Sequence, residues 1–194
     1  MDNNKKVISM LEAERDIIKN LSQSQRYRYF LGRMQYIRYE SGRENLFSSD
    51  CSGSVCLALL LATGFGIRVT ADQLYRNYFT KKFFTDDDIQ AVFFITENTV
   101  KTGYKVYYQG QCAHVAGICG RDVVLNCTEP YSVLRSLSGM KDFYSRNGYR
   151  AVVRGLNMKA LKKSHCLDRD IYDPDRDFSL IRDSFMSSQF RRVA

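Results

Sequence analysis

Residues 48–64 read SSDCSGSVCLALLLATG, and this stretch decides how the rest of the chain folds. After Ser54 it is apolar on every side, which predicts a helix buried inside a domain, Cys51–Thr63. Gly64 is suited to the left-handed residue that ends a helix. Three polar residues are candidates for the cap that begins it: Ser48, Ser49 or Asp50. The only polar turn of the predicted helix, the first, therefore carries Cys51.

Other patterns along the chain predict a mixture of helices and strands. Apolar residues at roughly helical spacing predict three further helices: Val7–Leu21, Arg26–Ile37 and Ala71–Tyr78. Runs of β-branched or aromatic residues between turn residues predict five strands: Ile89–Thr96, Tyr104–Tyr108, His114–Cys119, Val123–Cys127 and Tyr149–Val153. Helices followed by strands indicate an α+β fold, with a peripheral tail or a short docking helix after Gly155.

Composition and charge exclude several classes of protein. The 194 residues are 44% hydrophobic, so the chain can bury a core and is not dominated by disorder. Its 29 basic and 21 acidic residues give a net charge of +8, but the positive charges occur in short, scattered pairs. Such scatter favours a solvated basic surface over dedicated nucleic-acid binding.

Targeting signals and cysteine spacing bear on location and metal binding. Acidic residues interrupt the N-terminal apolar positions, so we expect no Sec-type export signal and synthesis in the cytoplasm. The most apolar stretch, Val55–Ala62, is far shorter than the roughly 20 residues that span a bilayer, so we expect no membrane span. We expect the six cysteines to be free thiols, because a chain without an export signal matures in the reducing cytosol. They form no Cys-x-x-Cys pair, so we expect no metal site.

Cys51 and His114 are the residues best suited to chemistry. At a helix N-terminus unpaired amide groups favour an anion, so we expect a lowered pKa and a reactive thiolate at Cys51. His114 begins a predicted strand, and its imidazole is suited to taking the thiol proton. Each also has a plainer interpretation, as a buried core cysteine and a structural strand histidine. The second histidine, His165, is expected at the surface of the tail.

The hairpin of the third and fourth predicted strands would supply a third residue. With a three-residue loop, Gly120–Asp122, Ala116 lies opposite Asn126, and His114 is a diagonal neighbour on the same face. Asn126 would then orient the imidazole. A two-residue loop would shift the register by one and move Asn126 to the opposite face.

Three sequence signatures occur in the order Cys, His and polar residue. They are DCSGSV at Asp50–Val55, HVAGIC at His114–Cys119 and the polar Asn126. Together with the upstream run Tyr39-Glu40-Ser41-Gly42, they resemble the NlpC/P60 cysteine peptidases, which are papain-like. The resemblance extends from Tyr39 to Arg154, and Asn126 stands where the family more often has histidine.

The resemblance implies a division of the chain and a set of roles. It implies an NlpC/P60-like catalytic domain at 39–154, between an N-terminal helical extension at 1–38 and a C-terminal extension at 155–194. The implied catalytic residues are Cys51 as nucleophile, with its backbone amide in the oxyanion hole, His114 as base and acid, and Asn126 as the orienting residue. The implied substrate-binding residues are Tyr39, Asp50, Ser52 and Gly53.

The implied function is hydrolysis of peptide bonds in the stems of bacterial cell-wall peptidoglycan, through a thioester and with neither metal nor cofactor. A missing export signal fits a phage-encoded enzyme, either carried in the virion with tail or other virion proteins as partners or released to the wall by lysis. It also fits a cytosolic recycling enzyme. Two alternatives stay open: a non-catalytic phage tail or assembly protein on the same scaffold, and a hydrolase or acyltransferase acting on another amide or ester.

Overall fold

A five-stranded antiparallel sheet lies at the centre of the fold, in the strand order β8-β7-β6-β3-β9. The computed structural model describes residues 16–42, 48–102 and 105–164. Its helices are α1 (Gln23–Arg33), α2 (Cys51–Thr63), α3 (Ala71–Gln73), α4 (Leu137–Arg146) and α5 (Met158–Lys163), with a π-helical turn at Leu74–Tyr78. Its strands are β1 (Arg38–Tyr39), β2 (Ser48–Ser49), β3 (Gln90–Thr96), β4 (Val100–Thr102), β5 (Lys105–Tyr107), β6 (Cys112–Gly120), β7 (Val123–Cys127), β8 (Ser132–Ser136) and β9 (Tyr149–Gly155).

Helix α2 has the predicted bounds, and single residues explain both of its ends. At its start the side chain of Asp50 accepts a hydrogen bond from the Gly53 backbone N–H at 2.7 Å, so Asp50 is the cap. At its end Gly64 has φ 77°, the left-handed conformation that favours glycine. Nearly all side chains between these ends are buried, as an apolar pattern on every side predicts.

The two faces of the central sheet pack against different helices. Alternation along β6 sends Val115 to one face and Ala116 to the other. The first, which we call the α2 face, packs against α1 and α2 in the larger of two apolar clusters, and Leu31 of α1 is fully buried there. The second, the α4 face, packs against Leu137 and Met140 of α4 in the smaller cluster. Helices on an antiparallel sheet make this the α+β architecture that the sequence predicts.

The β6–β7 hairpin has the predicted register but reaches it by a different route. Gly117 pairs with Leu125, and continuing this register sets Ala116 opposite Asn126, as predicted. The turn, however, is two residues long rather than three. A bulge at Cys119 supplies the extra residue that restores the register.

The remaining predictions differ in how the structure bears on them. The strand at Val123–Cys127 has the predicted bounds, and the other predicted strands and the helix at 26–37 are present with changed ends. The helix predicted at 71–78 is a three-residue helix continued by the π-helical turn, and β8 and α4 are not among the predicted elements. Most of Val7–Leu21, His165 and the tail after 164 lie outside the described residues, and the domain boundaries at 38 and 154 stay predictions. Among the helices of the described ranges, none combines the length and the apolar character that crossing a membrane requires.

Candidate active site

A cleft of about 660 Å³ lies between the first turn of α2 and the start of β6. Five of the residues predicted to form the site line it: Tyr39, Asp50, Cys51, Ser52 and His114. The other two do not line the cleft but contact residues that do: Asn126 is hydrogen-bonded to His114, and Gly53 is hydrogen-bonded to Asp50. The structure thus brings Cys51 and His114 to one cleft.

Cys51 is the first residue of α2 and is partly exposed. Burial, and after it the adjacent Asp50 carboxylate, raise the pKa of the thiol to about 11, while the Val115 and Ser52 backbone N–H groups lower it by less. The expectation of a lowered pKa is therefore wrong, because desolvation and a neighbouring negative charge outweigh the helix N-terminus. The resting group is a neutral thiol, and a base has to remove its proton before it can attack.

The carboxylate of Asp50 holds the turn that carries Cys51. One oxygen accepts from the Gly53 N–H at 2.7 Å and the Ser52 hydroxyl at 3.0 Å, and the other from the Gly42 N–H at 2.8 Å. Arg68 Nη2 lies 2.8 Å from the second oxygen. Burial raises the pKa of this carboxyl, but the hydrogen bonds and the guanidinium outweigh it, so the pKa lies below its ordinary value.

His114 is buried, and its imidazole is fixed by Asn126. Its Nε2 donates to Asn126 Oδ1 at 2.8 Å, because an amide oxygen only accepts. The amide nitrogen of Asn126 donates to Thr128 Oγ1 at 3.4 Å, which sets the orientation of the amide. Burial lowers the pKa of His114 to about 4, against smaller opposing effects of Asn126 and Asp50. At neutral pH the imidazole is therefore uncharged, with an unprotonated Nδ1 that can act as a base.

A second bulge lies immediately before His114 on β6. Strand β3 pairs Phe94 with His114 but Ile95 with Cys112, so Ala113 is an extra residue on β6. Bulges bend a strand and redirect the side chains beside them. Because Ala113 and His114 both line the cleft, this bulge sets the angle at which the imidazole reaches it.

Two aromatic rings lie close to the imidazole. The ring of Tyr144, on α4, lies nearly parallel to it, with centroids 5.5 Å apart and an angle of 11°. The ring of Phe94, on β3, lies 5.8 Å from it. Tyr144 is not among the predicted site residues. Its helix could have been predicted from the helical spacing of Leu137, Met140 and Tyr144 after a capping Ser136, although its contact with His114 could not.

Tyr39 and Cys112 also line the cleft. Burial first, and then the proximity of Cys51 and Asp50, raise the pKa of Tyr39 to about 12. The Cys112 thiol donates to the His114 carbonyl at 3.2 Å, and burial raises its pKa. Both groups are uncharged at neutral pH. Within the described ranges no three His, Cys, Asp or Glu side chains are grouped as a metal site requires.

Three comparisons with known proteins give matches only among solved structures. No protein-family model matches the sequence, and no curated protein matches it. The solved structure of NlpC1 from Trichomonas vaginalis is 11% identical over 71% of this chain and 44% of its own, with a TM-score of 0.49. The solved structure of NlpC2 from the same organism is 14% identical over 71% of this chain and 46% of its own, with a TM-score of 0.46. The chain therefore spans less than half the length of either neighbour.

Proposed function

We propose that the protein is a papain-like cysteine hydrolase with Cys51 as nucleophile, His114 as general base and acid, and Asn126 as the residue that orients His114. The observation that carries the proposal is the 2.8 Å hydrogen bond from His114 to Asn126, beside a cleft that Cys51 also lines. This bond leaves Nδ1 of the imidazole unprotonated. A thiol of raised pKa requires such a base.

The reaction would begin with transfer of the Cys51 proton to Nδ1 of His114, which forms the thiolate and the imidazolium together. The sulfur attacks the carbonyl carbon of the substrate, and the Cys51 backbone N–H at the start of α2 stabilises the oxyanion. As the intermediate collapses, the imidazolium donates its proton to the leaving amine and a thioester remains. A water molecule, deprotonated by Nδ1, then hydrolyses the thioester to a carboxylic acid and restores the thiol.

For the substrate we propose the peptide stem of bacterial peptidoglycan, because the DCSGSV and HVAGIC runs resemble those of the NlpC/P60 cysteine peptidases. Of the residues predicted to bind it, Tyr39, Asp50 and Ser52 line the cleft, and Tyr39 is proposed to contact the stem. The hydroxyl of the buried Ser52 already donates to Asp50 and accepts from Arg68, so Ser52 is proposed to act through the shape of the turn. Both oxygens of Asp50 already accept hydrogen bonds within the protein, one of them from Gly53. Asp50 and Gly53 are therefore proposed to act through the shape of the turn.

The test is the release of new amine termini from purified peptidoglycan, with the fragments identified by mass spectrometry. We expect release by the wild type, none by Cys51→Ala, and wild-type release by Cys119→Ala. Cys119 is the matched control, since it is another partly exposed cysteine and does not line the cleft.

Two results would contradict parts of this proposal. A folded wild type that releases nothing, but whose Cys51 reacts with a thiol probe, would exclude the peptidoglycan stem and favour another amide or ester. A folded wild type whose Cys51 also ignores the probe would contradict the enzyme itself and favour the non-catalytic assembly protein.

A further inference from the structure

The ring of Tyr144 stacks on the imidazole of His114. Centroids 5.5 Å apart at 11° describe an offset stack, the arrangement that aromatic rings prefer. Burial, and after it the proximity of Cys51, raise the pKa of the Tyr144 hydroxyl, so the side chain carries no charge at neutral pH. The contact seen with His114 is that of the ring, which acts by packing and by exclusion of water.

Neighbouring rings hold Tyr144 in this place. Phe94 stacks on it at 3.9 Å and 24°, and is itself fully buried. Tyr149 meets its edge at 5.5 Å and 83°, and Phe143 at 5.4 Å and 87°. Because the ring is packed from several directions, it cannot turn away from His114 without displacing them.

From this geometry we infer that Tyr144 is a positioning residue for the proposed hydrolase: its ring holds the His114 imidazole at the angle at which Nδ1 serves Cys51 and closes one imidazole face to water. Asn126 fixes the imidazole at its Nε2 edge, 2.8 Å away. An edge contact alone leaves the ring free to rotate about that bond, whereas a face contact stops the rotation. The inference rests on the proposed function, in which Nδ1 is the base.

Several groups act on the charge of His114 besides Tyr144. Asn126 of β7 is hydrogen-bonded to its Nε2, and Asp50 at the start of α2 acts on its charge. The other titratable side chains that line the cleft come from several elements: Tyr39, Cys51, Asp72, Lys105, Tyr107, Cys112, Tyr144 and Tyr149. Of the influences on its pKa, burial is the largest and lowers it, while Asn126 and Asp50 raise it. Removing the Tyr144 ring admits water while leaving the other groups in place, so the pKa should rise from about 4 toward its ordinary value of 6.5.

The test combines an NMR titration of the imidazole with kinetics. In a His165→Gln background His114 is the only histidine of the chain, so its titration is unambiguous. We expect Tyr144→Leu to raise the pKa of His114 by about one unit and to lower kcat about 10- to 100-fold with little change in KM. Tyr144→Phe keeps the ring, so it should keep the wild-type pKa of His114 and most of kcat. Phe83→Leu, at a side chain 94% exposed and outside the cleft, controls for loss of an aromatic ring elsewhere.

Opposite results would overturn the inference. These are a Tyr144→Leu variant that titrates and turns over as the wild type, or a Tyr144→Phe variant as impaired as Tyr144→Leu. Tyr144→Met, which keeps a large apolar side chain without a ring face, replaces Tyr144→Leu if the latter unfolds. The titration needs no substrate, so it separates this inference from the proposed function. If Tyr144→Leu raises the pKa of His114 but the wild type hydrolyses nothing, the proposed function is contradicted and the shielding of His114 by Tyr144 is not.

Discussion

The two faces of the central sheet hold the two halves of the site in different ways. Cys51 lies on the α2 face, at the start of helix α2. Hydrogen bonds and the ion pair of Asp50 with Arg68 fix this helix start. On the α4 face His114 is held by ring contacts and by one hydrogen bond to Asn126. The nucleophile is thus placed by local backbone chemistry, and the base by side chains distant in sequence.

The two faces also differ in how many apolar side chains they bury. The α2 face belongs to the larger cluster, with α1 and most of α2, whereas the smaller cluster on the α4 face has only seven buried members, two of them from α4. Substitutions on the α2 face should therefore change mainly the free energy of unfolding. Substitutions around His114 should change mainly the chemistry.

The largest expected effect is on the α4 face, from His114→Gln. A glutamine amide can still hydrogen-bond to Asn126 but cannot take a proton from Cys51. We expect kcat/KM for release of peptidoglycan fragments to fall about 10³-fold, about 4 kcal/mol in the activation free energy, with little change in melting temperature. Activity within tenfold of the wild type would show that His114 is not the base.

The next effect is on the α2 face, from Gly117→Ala. A Cβ there would lie 2.5 and 2.7 Å from the two methyl carbons of Leu31, which is fully buried, and 3.0 Å from the hydroxyl of Tyr27. We expect a loss of about 1–3 kcal/mol in the free energy of unfolding, measured by urea denaturation, with the rate per folded molecule unchanged.

Two further variants test the reason for the Gly117→Ala prediction. Leu31→Ala is destabilising alone, but adding it to Gly117→Ala should cost less than the sum of the two, because it removes the clash. Gly32→Ala is the matched control in α1, where no atom lies within 4 Å of the new Cβ, and should stabilise by about 0.5–1 kcal/mol. Equal effects of the two glycine substitutions would contradict the tight packing of α1 on β6.

The smallest effect is expected from Asp50→Asn at the start of α2. Asparagine still caps a helix, but the ion pair with Arg68 is lost, at about 1 kcal/mol near pH 7. The folded-state pKa of Asp50 is lowered, so its contribution is present above the ordinary value of 3.8 and is lost as pH falls through the folded-state value. Wild type and variant should therefore differ less in acid than at neutral pH, as denaturation at both pH values would show.

Asp50→Asn should also change Cys51. Removing the adjacent carboxylate takes away one of the causes that raise the thiol pKa to about 11, so that pKa should fall. The pH dependence of alkylation measures it. An unchanged or higher pKa would contradict an effect of the Asp50 carboxylate on the thiol.

The difference between the faces also explains how much could be predicted from the sequence. The bounds of α2 depend on neighbouring residues, Asp50 and Gly64, and were predicted correctly. The register that joins His114 to Asn126 was also correct, although the bulge at Cys119 that produces it was not foreseen. Both features follow from local rules of capping and alternation.

The features that differ from prediction depend on contacts between distant segments. The contact of Tyr144 with His114 joins α4 to β6, and no periodicity within either element reveals it. The pKa of Cys51 was predicted in the wrong direction, because a helix N-terminus is visible in the sequence and the burial of the thiol is not. Such burial becomes visible only once the sheet and helices are packed together.

The rate of alkylation of Cys51 as a function of pH, in the wild type and in His114→Gln, tests the central claim most directly. Peptide mass spectrometry separates Cys51 from Cys119, a partly exposed cysteine outside the cleft whose thiol pKa burial raises to about 12. If His114 takes the proton of Cys51, Cys51 reacts much faster than Cys119 near pH 7, and His114→Gln removes that advantage without changing Cys119. An equal rate at Cys51 with and without His114 would contradict the coupling of the two halves of the site.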